Sequence, residues 1–316
     1  MCKSDSEANG ATANVENNSN NSTTNTSLNK FNILNFLAYL VNVFITFAIG
    51  TFGLAGRPTN GELSAKYQTI VTPNGLAFSI WALIFILQAI WVLWQILLPQ
   101  QRNAPAVYKV SWLYVGVCLA QCAWTIVFSY EIIWLSLVCM LTIAAFLVAA
   151  VYRLQTVPKR LGGYLIWQLP LSLHCGWILA ASVVNTNVVP VFYNATTTVQ
   201  LVIAYASLAV LFLIELAWLL PYPVDFAVPC VFIWALGGVY LELQQPSTMI
   251  LETFTESQVS NVQTTCLALM VAVGAAIVIK LLYVLLVQRP KAVAAATESS
   301  ENQQTNADSK PNEDNV

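Results

Sequence analysis

Eight long apolar stretches punctuate the chain, at 33–55, 75–98, 110–129, 132–152, 163–184, 198–220, 224–241 and 264–287. Most reach the ~20 residues a helix needs to cross a hydrocarbon core. None alternates apolar with polar positions, as the strands of a membrane barrel do. A segment in lipid must satisfy its own backbone hydrogen bonds, so the pattern predicts helices. The expected fold is therefore all-α, a polytopic transmembrane bundle of eight spans. Two joints are very short, Tyr130-Glu131 and Pro221-Tyr222-Pro223. If either joined pair were a single span, the total would be seven. The paired prolines suit a turn better than one kinked helix. Polar, Asn/Ser/Thr-rich residues 1–30 and polar residues 288–316 have little to bury and read as disordered tails. No charged-then-apolar leader is evident at the start, so the first apolar stretch is expected to serve as an uncleaved anchor.

Composition agrees with a lipid-facing surface. Hydrophobic residues make up 57% and charged residues 9%, against about 25% charged in soluble domains. The net charge of −2 and the lack of a basic run argue against nucleic acid as a partner. With eight spans, one side of the bilayer carries Lys3, Lys30, Arg102, Lys109, Arg153, Lys159, Arg160, Arg289, Lys291 and Lys310. The other carries only Arg57 and Lys66. Basic residues favour the cytoplasmic side, so both termini are expected there. The sequons at Asn17, Asn20, Asn21 and Asn25 would then stay unmodified. Asn194, in Asn194-Ala195-Thr196, would face outward and is a glycosylation candidate.

Candidate chemistry is sparse. Trp112, Trp134 and Trp218 lie near span ends, where tryptophan forms interfacial belts. Helical spacing puts Trp81, Ile84, Gln88 and Trp91 on one face of the second span. It puts Tyr114, Val117, Gln121 and Trp124 on one face of the third, and Trp167, His174, Trp177, Ala181 and Asn185 on one face of the fifth. Polar groups in lipid turn inward. These faces suit either one shared aromatic cavity or plain interhelical packing with amides as glue. The candidate ligand-binding set is Trp81, Gln88, Gln121, Trp124, His174, Trp177 and Asn185. His174, the one histidine, cannot build a metal site alone. Cys118 and Cys122 stand one turn apart without a His or carboxylate in their stretch, which reads as packing. Glu215 and Lys280 lie at similar depths, roughly 8 and 10 Å from the cytoplasmic end, and are expected to pair. Asp225 and Glu131 sit at span ends without evident partners. No catalytic motif is present.

The stretch Thr72-Pro73-Asn74-Gly75-Leu76-Ala77-Phe78-Ser79-Ile80-Trp81 resembles the start of the second helix in the TspO/MBR family, the tryptophan-rich sensory proteins and the mitochondrial translocator protein. Gln121-Cys122-Ala123-Trp124-Thr125 stands where that family has N-x-x-W-S. Trp177, Ala181 and Asn185 follow its fifth-helix pattern. The resemblance covers about residues 33–190, and it departs where Leu173-His174 replaces the family Pro-Tyr and where Ser79-Ile80 replaces Gly-Pro. It implies a TspO-like five-helix core at 31–190 followed by three additional helices at 191–287. It also implies a Trp-lined pocket for a hydrophobic planar ligand, a porphyrin or other tetrapyrrole or a sterol, capped by residues 57–74. The expected partners are the bilayer and a hydrophobic small molecule, with a homo-oligomer left open. The competing reading is a secondary transporter working through Glu215, Lys280 and His174. An enzyme would need more converging acid, base or nucleophilic groups.

Overall fold

The computed structural model describes residues 27–54, 56–158, 160–221 and 223–288. Most of both polar tails, with Cys2 and the four N-terminal sequons, lies outside the described residues. Those residues contain twelve α-helices and no strand. In order they are α1 Lys30–Ile45, α2 Asn60–Lys66, α3 Ile80–Leu97, α4 Pro105–Val110, α5 Trp112–Ser129 and α6 Ile133–Gln155. Then follow α7 Leu161–Trp167, α8 Leu169–Phe192, α9 Thr197–Trp218, α10 Ala227–Glu242, α11 Thr248–Thr253 and α12 Glu256–Tyr283. A π turn at Thr46–Thr51 extends α1, and a 3-10 turn at Gly75–Ser79 leads into α3.

Seven helical stretches are long and apolar enough to cross a bilayer, so the chain is a polytopic helical bundle. The expected stretch at 224–241 appears as α10, whose 16 residues span only about 24 Å. Two other boundaries move for identifiable reasons. The fifth span was expected to stop at 184, before the polar run Asn185-Thr186-Asn187. Inside the bundle these amides find partners: Asn185 Nδ2 donates to Ser136 Oγ at 3.1 Å, and Asn187 Nδ2 to Ser207 Oγ at 2.9 Å. The helix therefore runs on to Phe192. The last helix starts at Glu256 rather than 264, because Thr255 and Gln258 form a reciprocal capping box that nucleates two polar turns before the apolar part.

Helix α8 is the hub. It packs against α3, α6, α9 and α10. In its apolar window 67% of residues are buried, against 6% in α12, so α12 lies at the rim of the bundle. Helix α10 comes very close to this hub. A Cβ added at Gly176 would lie 2.8 Å from Val231 Cβ and 3.0 Å from Val228 O. Near the other end of α10, a Cβ at Gly238 would lie 2.6 Å from Ala77 Cβ, and Asn74 N–H donates to Gly238 O at 3.1 Å. Missing side chains here allow backbones to touch.

Asp225, just before α10, is fully buried but not partnerless as expected. It accepts from Tyr164 Oη at 2.8 Å, Gln168 Nε2 at 2.7 Å, the Ala227 N–H at 3.1 Å and the Ser172 hydroxyl. The opposite end of α10 is also tied down: Gln68 Nε2 donates to Glu242 Oε1 at 2.7 Å.

Candidate functional site

A cavity of about 790 Å³ lies in the half of the bundle nearest the 52–74 loop. Its wall is built by α3, α5 and α8, with the π turn after α1 on one flank and α9 and α10 on another. Trp81 from α3, Gln121 and Trp124 from α5, and Trp177 and Asn185 from α8 all line it. Five of the seven candidate binding residues thus meet around one space.

The aromatic rings are held by one another. Trp81 stacks on Phe85 with centroids 5.5 Å apart and meets Trp177 edge-on at 6.3 Å. Trp177 also meets Phe78 edge-on at 5.5 Å. Trp124 stacks on Phe128 at 5.0 Å and donates through Nε1 to Asn185 Oδ1 at 2.8 Å. Asn185 passes the chain on to Ser136, so one hydrogen-bond relay fixes α5, α8 and α6. Three buried polar atoms among the lining residues have no partner: Asn60 Oδ1, Gln121 Oε1 and Trp177 Nε1.

Gln88 and His174 do not line this cavity. Deeper in the bundle, Tyr114 Oη donates to Gln88 Oε1 at 3.0 Å, and Gln88 Nε2 donates to His174 Nδ1 at 2.8 Å. This geometry puts the imidazole proton on Nε2, an atom without a partner. Trp91 and Tyr114 fill the space beside them, with ring centroids 4.6 Å apart. The aromatic faces read from helical spacing therefore split. The halves toward the 52–74 loop enclose space, and the other halves pack solid around a polar knot.

The expected Glu215–Lys280 pair does not form. Lys280 Nζ donates to Leu220 O at 3.1 Å, at the end of α9, while both carboxylate oxygens of buried Glu215 have no hydrogen-bond partner. No hydrogen bond or ion pair joins Glu215, Lys280 and His174, so they form no relay. Asn194 sits exposed at the turn between α8 and α9.

The roof of the cavity is α2 and its flanks. Thr59, Asn60, Ser64, Tyr67 and Gln68 face the space. Thr59 and Glu62 make a capping box, and the backbone hydrogen bond from Thr59 holds the Glu62 carboxyl below its ordinary range. Leu63 is fully buried against Phe128, Ile133 and Val188. Lys66 Nζ reaches Glu131 at 2.5 Å, and Tyr67 Oη donates to the same carboxylate. These bonds, the lysine first, hold the Glu131 carboxyl below its usual pKa. Glu131 is therefore the anchor of the roof, a role its isolated position in the sequence concealed. On the other flank, Ser247 Oγ donates to Gln68 Oε1 at 2.5 Å, so Gln68 links the roof to both ends of the α10–α11 connection.

The α9 and α10 wall, including Leu208, Leu211, Phe232, Ala235 and Val239, escaped sequence reasoning. The adjacent pair Gly237-Gly238 inside an apolar stretch was the one signal of a close approach there.

A family model described as TSPO-like protein matches residues 32–279. The chain belongs to the TSPO-like family. The match runs well past residue 190, so in this TSPO-like protein the helices that close the cavity from α9 onward belong to the same family unit as α1 to α8. No curated protein and no solved structure matches the chain.

Proposed function

We propose that this TSPO-like protein holds a hydrophobic, largely planar small molecule in the cavity beneath α2, for sensing or for transport. The observation that carries the reading is the convergence of Trp81, Trp124 and Trp177, from three different helices, on one cavity of about 790 Å³. That volume is typical of ligand pockets. Indole faces offer large flat contact area, and sparse polar groups such as Gln121 and Asn185 can orient a ligand. A sterol or a tetrapyrrole falls within this class. The alternative, a secondary transporter working through Glu215, Lys280 and His174, gains no support from contacts, since no hydrogen bond or ion pair joins those groups.

We also infer that α10 completes an eighth crossing. Asp225 before it is bonded to the start of α8, and Glu242 at its end is bonded to the roof. The chain therefore passes from one end of the bundle to the other within this element. Eight crossings put both termini on one side, which the basic residues assign to the cytoplasm. The roof and Asn194 then face away from the cytoplasm, and Asn194 is open to glycosylation.

The test is quenching of intrinsic tryptophan fluorescence by an uncharged polycyclic aromatic, with the protein in nanodiscs and empty nanodiscs subtracted. Saturable quenching is expected, with affinity lowered about tenfold or more by Trp177→Ala or Trp81→Ala, since each removes an aromatic contact and part of its apolar area. Affinity unchanged in both variants would sink the reading.

A further inference from the structure

The charge of the cavity wall selects among ligands. Among the described residues that line it, Glu242 is the sole charged side chain, and the wall holds no Lys, Arg or His. The Glu242 carboxylate is half-buried at the end of α10. Gln68 Nε2 donates to its Oε1, and among the described residues no group donates to Oε2, which is free to accept from a ligand. The neighbouring cations are engaged away from the space: Lys66 is bound to Glu131, and the Arg57 guanidinium lies over the Tyr130 ring at 4.0 Å.

Resting on the proposed binding role, we propose that the cavity's ligand is a hydrophobic amine, an apolar ring body whose single ammonium group donates to Glu242 Oε2. The geometry is that of a bipolar site. The ring body lies among Trp81, Trp124 and Trp177, and the roof end supplies one anionic acceptor beside the Gln68 and Ser247 side chains. A ligand bearing carboxylates finds no cation on the wall and meets a like charge at the mouth. Glu242 is only half-buried, so that repulsion is partly screened, and it acts beside the absence of any cation to offset it. A dicarboxylate tetrapyrrole is accordingly a poor fit, although its ring size suits the volume.

Three probes with one ring body separate charge from shape: 1-pyrenemethylamine, 1-pyrenemethanol and 1-pyrenecarboxylate. Binding is read in nanodiscs of zwitterionic lipid at neutral pH. The expected order of affinity is amine, then alcohol, then carboxylate, with the amine ahead of the alcohol by about tenfold or more. Glu242→Gln should remove the amine's advantage while leaving the alcohol within about twofold, and Glu242→Lys should invert the order. The alcohol binding saturably while the carboxylate equals or exceeds the amine would overturn the amine proposal and leave the cavity reading standing. An amine preference that persists in Glu242→Gln would also overturn it. If none of the three saturates, the cavity reading fails and the proposal with it. If Glu242→Gln purifies poorly, Gln68→Ala is the second variant. It frees Oε1 without altering the charge, and the amine should keep its lead; loss of that lead would contradict the ammonium–Glu242 contact.

Discussion

The junction between α10 and the segment leading into α3 makes a sharp prediction, because two adjacent glycines differ only in what surrounds them. A Cβ at Gly238 would sit 2.6 Å from Ala77 Cβ and 2.9 Å from Pro73 Cβ. Carbon atoms pack at roughly 3.5–4.0 Å, so α10 must retreat by about 1 Å. Neither neighbour can swing away, since one is a methyl fixed to backbone and the other a proline ring. Overpacking of this kind costs about 1–3 kcal/mol. The gain in helix propensity on replacing glycine by alanine returns at most about 1 kcal/mol. Subtracting about 1 from about 1–3, the net expectation for Gly238→Ala is a loss of about 0–2 kcal/mol, together with strain on the Asn74–Gly238 and Trp234–Ala77 hydrogen bonds, 3.1 and 2.9 Å long. At Gly237 the nearest atom to a new Cβ is the flexible Met270 Cε at 3.6 Å, an ordinary contact. Gly237→Ala should therefore be neutral or slightly stabilising. Thermal unfolding of both variants in the same detergent decides the matter. The reasoning fails if Gly238→Ala unfolds at or above the temperature of Gly237→Ala.

Two further outcomes are expected. The Glu131 carboxyl is held low by Lys66 and Tyr67, so its contribution is present above the ordinary carboxylate range and fades as pH falls through the depressed value. Protease cleavage within 56–68 in nanodiscs should accelerate below about pH 4, and Glu131→Gln should flatten that pH dependence; a variant profile identical to wild type would contradict the anchor. Glu215 holds two unpartnered buried oxygens, so Glu215→Leu should raise stability by about 1–3 kcal/mol, and its effect should add to that of Lys280→Met. A double mutant departing from additivity would revive the ion pair.

The long apolar helices were legible because hydrophobic length marks them, and Trp81, Trp124, Trp177 and Asn185 were legible because helical spacing fixes which residues share a face; the short helices α2, α4, α7 and α11 carry no such signal. What the sequence hid was how far along each face the helices stay apart. Gln88 and Trp91 lie on the same stripe as Trp81, yet Tyr114 and His174 fill the space beside them. Depth along the bundle is likewise a weak guide to pairing. Glu215 and Lys280 lie at similar depths, but a helix also has an azimuth, and Lys280 turns to the end of α9. The side-chain partners of Glu131 and Asp225 are 64–65 and 53–61 residues away in sequence, contacts that only tertiary structure creates. The wall from α10 depends on its two close approaches, at Gly176 and Gly238.

The central claim is that room exists between these rings, and Ala181→Phe probes it most directly. Ala181 lines the cavity on α8, one turn from both Trp177 and Asn185. If the space is there, a phenyl ring enters it, stability holds or rises, and saturable binding of the uncharged polycyclic probe is lost. Unfolding at a clearly lower temperature, or binding that survives unchanged, would show that the indoles enclose nothing a ligand could use.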